Sequence, residues 1–499
     1  MEKKKTDNTA KKINFWHIMG IVGLGFAALG VAGGAVSGIR HAVIQHEKEK
    51  VYSVTFDLEN AKVKGKRGDS AIGMEAGING EKNDFDKAYP WKAIKEVKDA
   101  NGDYFVRIPK FYEKITQTET TLTYSITSAP KKGYHVAPAF IEAGEEIDYF
   151  DVAQYETSFN DRKAGGIHVQ SIPNAMPEIT GHTLDQYRAL AAADGNQLFN
   201  WRQNQALQSL FAVEFANLDS QAIMSGETQY IALYHEITAE EIAAKTVSEF
   251  TLSEDETMLI DNDVDKLEFA KANLKHVDIS YEYTNEDEET VNVNETVTAK
   301  SVKFENDVWT VTLDKAIDTS VFTEDAGIYI SFGSYICHKT GASVGRKGSS
   351  NGASLKSLEV TAMNYRGIEN WYGNTYTWCD GLATYQDANG KYICVSMDST
   401  KDGDRDSYKK FEITGETGDH KGSMDLGDGL FINDFKMDGE VEYQYDYNYF
   451  GFQSNEYRIG MVGGRYAYGN DAVAFSVGVI AAVSGADNSV RLSCIPQAQ

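Results

Sequence analysis

Glycine pairs and Gly-Asn turns break the stretch 458–494, RIGMVGGRYAYGNDAVAFSVGVIAAVSGADNSVRLSC, into short apolar runs. Such a stretch can fold only as brief strands joined by loops, because Gly463-Gly464 and Gly469-Asn470-Asp471 tolerate the positive φ of tight turns. Tyr466, Tyr468, Phe475 and Val477 are interleaved with Ala and Ser, which puts large side chains on short strands and exposed loops. Tyrosine suits a binding surface, since it offers a wide contact area, few rotors and one polar tip. Phe475, Val477 and Val479 read equally well as the inward face of a strand. Arg465, Tyr466, Tyr468 and Asp471 read as exposed.

Composition narrows the classes of function. The chain has 499 residues, room for two to four domains, and carries 48 basic against 74 acidic residues, a net charge of −26. Nucleic-acid binding needs a basic footprint, so nucleic acid is not an expected partner. The charge suits a soluble, secreted or virion-surface protein. Four cysteines, Cys337, Cys379, Cys394 and Cys494, lie in the C-terminal third without a CxxC pair, which argues against a zinc site. Cys379 and Cys394 could face each other across a hairpin in an oxidising compartment, or remain buried thiols.

Residues 18–39 contain no charged side chain and as a helix would extend about 33 Å, enough to cross a hydrocarbon core of about 30 Å. Lys3, Lys4, Lys5, Lys11 and Lys12 precede them, so the positive-inside rule keeps the N-terminus cytoplasmic and the rest outside. The expectation is a transmembrane helix within 1–50. A signal peptide and a Gly-rich helix buried in an oligomeric assembly are the other readings.

Val51-Tyr-Ser-Val-Thr-Phe56 alternates as a strand does, and Asn101-Gly102 marks a turn before the next one. DYFVRIPKFYEK (103–114), GYHVAPAF (133–140) and EIDYFDVAQYETS (146–158) follow in order, and NYRGIENWYGNTYTWCDGL (364–382) comes before the C-terminal stretch. This succession resembles a family of tail-tip and diversity-generating-retroelement target proteins from phages of Gram-positive hosts, which carry a C-type-lectin-like domain related in fold to formylglycine-generating enzymes. The resemblance implies an α+β fold: a β-rich N-terminal domain at 51–130, then a lectin-like domain at 131–245 and 327–499. It implies that residues 364–374 mainly hold the fold, with Asn and Glu bonding loop backbone and Trp packing beneath. The acidic segment 246–326, with strand-like runs at 277–283 and 290–313, reads as a small β-rich insertion.

Thr183 with Gln186 forms a capping box for a helix over 184–193. Leu207, Leu210, Phe211, Phe215 and Leu218 give 201–218 a core-facing stripe. Asp402-Gly-Asp404-Arg-Asp406 starts like a calcium loop, but Ser407 and Ile413 replace the glycine and glutamate an EF-hand needs, so it reads as a solvated turn. The calcium-dependent sugar motifs of true C-type lectins are absent from the sequence, as are GxSxG, HExxH and P-loop motifs. Neither Cys379 nor Cys494 has the sequence context of a formylglycine-generating enzyme, which makes that enzyme class the weakest reading.

The sequence therefore leads to a non-enzymatic recognition protein with no cofactor or metal. Its expected ligand-binding face comprises Arg465, Tyr466, Tyr468, Asp471, Phe475 and Val477, joined by 484–487, and diversification of that face between copies is the sharper expectation. The expected partner is a host-surface or extracellular ligand, protein or glycan, met by a homo-oligomer. The setting is a virion tail, or alternatively a bacterial or prophage-encoded surface protein anchored by 18–39.

Overall fold

The computed structural model describes residues 41–494, apart from 161–166, 179–181, 227–230, 254–256, 259–276, 285–289, 321–326, 333–338, 353–361, 414–420, 436–447, 465–473, 481–487 and scattered single positions. Strand outweighs helix, and most pairing is antiparallel. The expected membrane span needs correction. No helix among the described residues is long and apolar enough to cross a membrane, and residues 18–39, where that expectation fell, lie outside them.

The alternation at 51–56 does produce a strand, Val51–Asp57, with Val54 and Phe56 fully buried. It lies between Lys62–Asp69 and Thr121–Thr127, and Tyr112–Gln117 and His135–Val136 complete a five-stranded sheet. Asn101-Gly102 turns the chain from Lys95–Lys98 into Tyr104–Pro109, with Gly102 at φ +98°. That hairpin joins a second sheet, ordered Gln197–Leu198, Leu492–Cys494, Tyr149–Ala153, Tyr104–Pro109, Lys95–Lys98. Two strands from 51–130 thus share a sheet with Leu492–Cys494. One hydrophobic core runs from Tyr52 to Val477, so 51–130 packs as part of the main body.

Both expected helices form. Leu184–Ala193 carries the Thr183/Gln186 capping box. Trp201–Phe215 carries a second reciprocal box, Asn200 with Gln203, and all fifteen of its residues are buried. A helix with a single apolar stripe normally turns its polar side to water. This one crosses the centre of the molecule, and its polar residues bond to surrounding elements instead. Gln203 donates to Ser493 Oγ at 2.6 Å, Gln208 to the Ala474 carbonyl at 3.0 Å, and Arg202 to the Ile141 and Met397 carbonyls.

The insertion is wider than the acidic composition suggested. Ile231–Glu236 pairs along its length with Gly327–Phe332, with Ile231 opposite Phe332. These two strands form the base of a five-stranded sheet that includes Val277–Thr284 and Thr290–Val297. Thr246–Ser253, Val308–Asp318 and Ala299–Glu305 form a separate three-stranded sheet that buries Phe250, Trp309 and Val311.

Candidate functional site

Strands Arg458–Val462 and Val477–Ile480 are the arms of an antiparallel hairpin, with Val462 opposite Val477. The first arm also pairs with Tyr376–Gln386 in the seven-stranded sheet, and Asn448–Tyr449 runs parallel to the second. The connection between the arms, 463–476, contains five of the six expected ligand-binding residues. Arg465, Tyr466, Tyr468 and Asp471 lie outside the described residues, as does 484–487.

Both ends of that connection are anchored in the body. Gly463 has φ +88°, and its carbonyl accepts from Gly373 N–H at 2.6 Å. A Cβ there would come within 3.0 Å of the Trp371 carbonyl oxygen. At the other end, Ala474 N–H donates to Ser220 Oγ at 2.9 Å while its carbonyl accepts from Gln208. Phe475 then meets Phe211 edge-on, with ring centroids 6.1 Å apart. Phe475 and Val477 are fully buried in the main core, so these two members of the expected face are packing residues. Of the two readings their alternation allowed, the inward one holds.

Residues 364–375 form a buried polar knot around three carboxylates. Glu214, on the central helix, takes two hydrogen bonds from Arg366 at 2.7 and 2.6 Å, one from Tyr365 OH at 3.1 Å and one from Asn83 at 2.7 Å. Glu369 accepts from the Gly341 and Ser343 N–H groups and from Ser343 Oγ. Glu156 accepts from Asn370, Asn374 and Thr375, and burial still raises its pKa against the pull of nearby Arg491. Trp371 donates from Nε1 to Asn204 at 2.9 Å, and Tyr372 OH donates to the Met224 carbonyl at 2.7 Å. Arg491 spends its guanidinium on the carbonyls of Ala153, Glu369 and Asn370. Every one of these groups fastens one segment of backbone to another, beneath the first anchor of the 463–476 connection.

The turn at 402–406 is not wholly solvated. Asp402 is buried near Asp380, and burial together with that carboxylate raises its pKa well above the ordinary range, while Arg188 holds Asp380 through paired hydrogen bonds. No group of three or more potential metal ligands occurs among the described residues. Cys394 stands opposite Ala383 in the strand register, four positions beyond Cys379, so the two cysteines do not face each other. Cys379, Cys394 and Cys494 are free thiols, and Cys337 lies outside the described residues.

Sequence reasoning overlooked a cleft of about 420 Å³ on the side of the second sheet. Its walls include Glu96, Tyr104, Gln154, Tyr155, Ser349 and Asn351. Gln154 and Tyr155 stand in the quoted segment EIDYFDVAQYETS, but no spacing in the chain connects them with Glu96 or Ser349. No protein-family model and no curated protein matches this chain.

Proposed function

We propose that this protein is a recognition module in which a C-type-lectin-like scaffold presents the 463–476 connection to an extracellular ligand, with a phage tail tip as its setting. The supporting observation is the double anchoring of that connection. Gly463 is locked to residues 371–373, and Ala474-Phe475 to the central helix, so a short segment with two Tyr, one Arg and one Asp is held at two fixed points. Rigid scaffolds that vary their loops commonly place binding residues this way. Tyr466 and Tyr468 supply contact area, while Arg465 and Asp471 select by charge and hydrogen bonding.

The three described thiols favour binding over cysteine chemistry. Burial raises the pKa of Cys379 well above its ordinary value, that of Cys394 to about 12, and that of Cys494 upward as well. A nucleophilic or metal-binding cysteine needs the opposite shift. The test is the double substitution Tyr466→Ala with Tyr468→Ala, assayed for binding to host cells. Binding is expected to fall at least tenfold with the thermal unfolding midpoint unchanged, and undiminished binding would remove the assignment. If the connection is diversified, a near-repeat of its coding DNA and a reverse transcriptase gene accompany this gene.

A further inference from the structure

Both ends of the 463–476 connection are tied to one short turn beyond the central helix. Within it, Asp219 Oδ1 accepts from Ala222 N–H at 3.0 Å, and the Ser220 carbonyl accepts from the Ile223 and Met224 N–H groups at 3.1 and 2.9 Å. Ser220 and Met224 are fully buried, so the turn is fastened by the chain's own groups.

Ser220 faces both anchors. Its Oγ accepts from Ala474 N–H at 2.9 Å, at the far end of the connection. On its other side, the hydroxyl of buried Tyr372 donates to the Met224 carbonyl at 2.7 Å and lies 3.3 Å from the Ser220 carbonyl. Gly373 follows Tyr372, and its N–H donates to the Gly463 carbonyl at the near end. Gly373 has φ +83°, and a Cβ on it would come within 1.7 Å of the Gly226 carbonyl oxygen, so glycine is what lets 371–373 close against this part of the chain. The path from Gly463 through Gly373, Tyr372 and Ser220 to Ala474 is therefore unbroken.

Phe211 also touches both sides, with Trp371 at 5.9 Å and Phe475 at 6.1 Å between centroids. Ring packing of that kind keeps the core filled but leaves room to slide, whereas hydrogen bonds fix direction as well as distance. A segment whose ends keep a set separation loses less freedom when it meets a ligand. We infer that Ser220 and Tyr372 form a strut that sets the spacing of Gly463 from Ala474, and with it the affinity of the connection. The effect on affinity rests on the recognition function proposed for that connection.

Ser220→Ala and Tyr372→Phe cut the strut at its two joints with little change in buried volume. Hydrogen exchange on the full chain, read by mass spectrometry, follows the result without any ligand. Ser220→Ala should speed exchange by about tenfold in peptides covering 474 and also in those covering 373, across the strut. Faster exchange at 474 alone would overturn the inference, because it would show a purely local bond. Each variant should bind host cells about threefold less tightly or worse, and the double variant should lose no more than the weaker-binding single one. Additive losses, or parental binding by both single variants, would also overturn it. Asn200→Ala, which strands a buried N–H away from the strut, should bind as the parent does. A matching loss there would trace the effect to lowered stability and remove the strut. If Tyr466→Ala with Tyr468→Ala weakens binding and Ser220→Ala does not, the strut alone fails. If the tyrosine variant binds undiminished, the recognition function and the strut's part in affinity fall together.

Discussion

Glu113 shows how unevenly buried charge is supported at the scale of single residues. Glu156, Glu214 and Glu369 each collect several donors, whereas Glu113 is fully buried with Oε2 unpaired and Oε1 reached by Gln205 at only 3.4 Å. Burial raises its pKa, with nearby His135 and the Gln205 and Ser209 side chains opposing. A carboxyl whose folded pKa exceeds its unfolded value contributes its full stability below the unfolded value and loses it as pH rises through the folded one. Glu113→Gln should therefore match the parent in acid and become more stable towards neutrality, by about 1 kcal/mol or more at pH 7. Urea unfolding at a series of pH values measures this. A variant less stable than the parent at pH 7 would show the ionised carboxylate to be supported after all.

At the scale of elements, the two capped helices make a controlled comparison. Both have the reciprocal box, but Thr183 lies near the surface while Asn200 is buried. Thr183→Ala frees the Gln186 N–H to bond with water instead and should cost about 1 kcal/mol. Asn200→Ala strands the buried Gln203 N–H, which it now satisfies at 3.1 Å, and should cost roughly 2–3 kcal/mol. Equal losses in chemical denaturation would mean that the buried terminus is hydrated. The first helix was legible because its cap and length are local. The second was legible as a helix but not as a wholly buried one. Nothing in Arg202, Gln203, Gln205 or Gln208 reveals that their partners stand as far off as Ser493, Ala474 and Gly429.

At the scale of the whole molecule, strands and turns with short-range signals were readable, and pairing between distant segments was not. The alternation at 51–56 and the Asn101-Gly102 turn announce themselves, but the place of Leu492–Cys494 between Tyr149–Ala153 and Gln197–Leu198 does not. The same limit hid the cleft, whose walls come from four separated segments. It also blurred the insertion, because acidic composition marks 246–326 while the base strands Ile231–Glu236 and Gly327–Phe332 carry ordinary alternation. Because Ile231 and Phe332 are directly opposed, their Cα atoms lie about 5 Å apart. Replacing 231–332 with a short Gly-Ser linker should leave the main body folded, with its unfolding midpoint within a few degrees of the parent. An insoluble product would show that the insertion is needed for the body to form.

The strand Leu492–Cys494 carries a consequence for the order of assembly. Ser493 Oγ donates to the Asp151 carbonyl across 342 positions, and Arg491 reaches Ala153 across 338. At about 5–20 residues per second, roughly 17–70 s of synthesis separates the two halves of that contact. Throughout that interval the strand Tyr149–Ala153 has one edge without its eventual neighbour, and an open edge is a template for pairing with other chains. The sheet can close only once residues 492–494 have been made, and nascent chains of this protein are most prone to mispair before that moment.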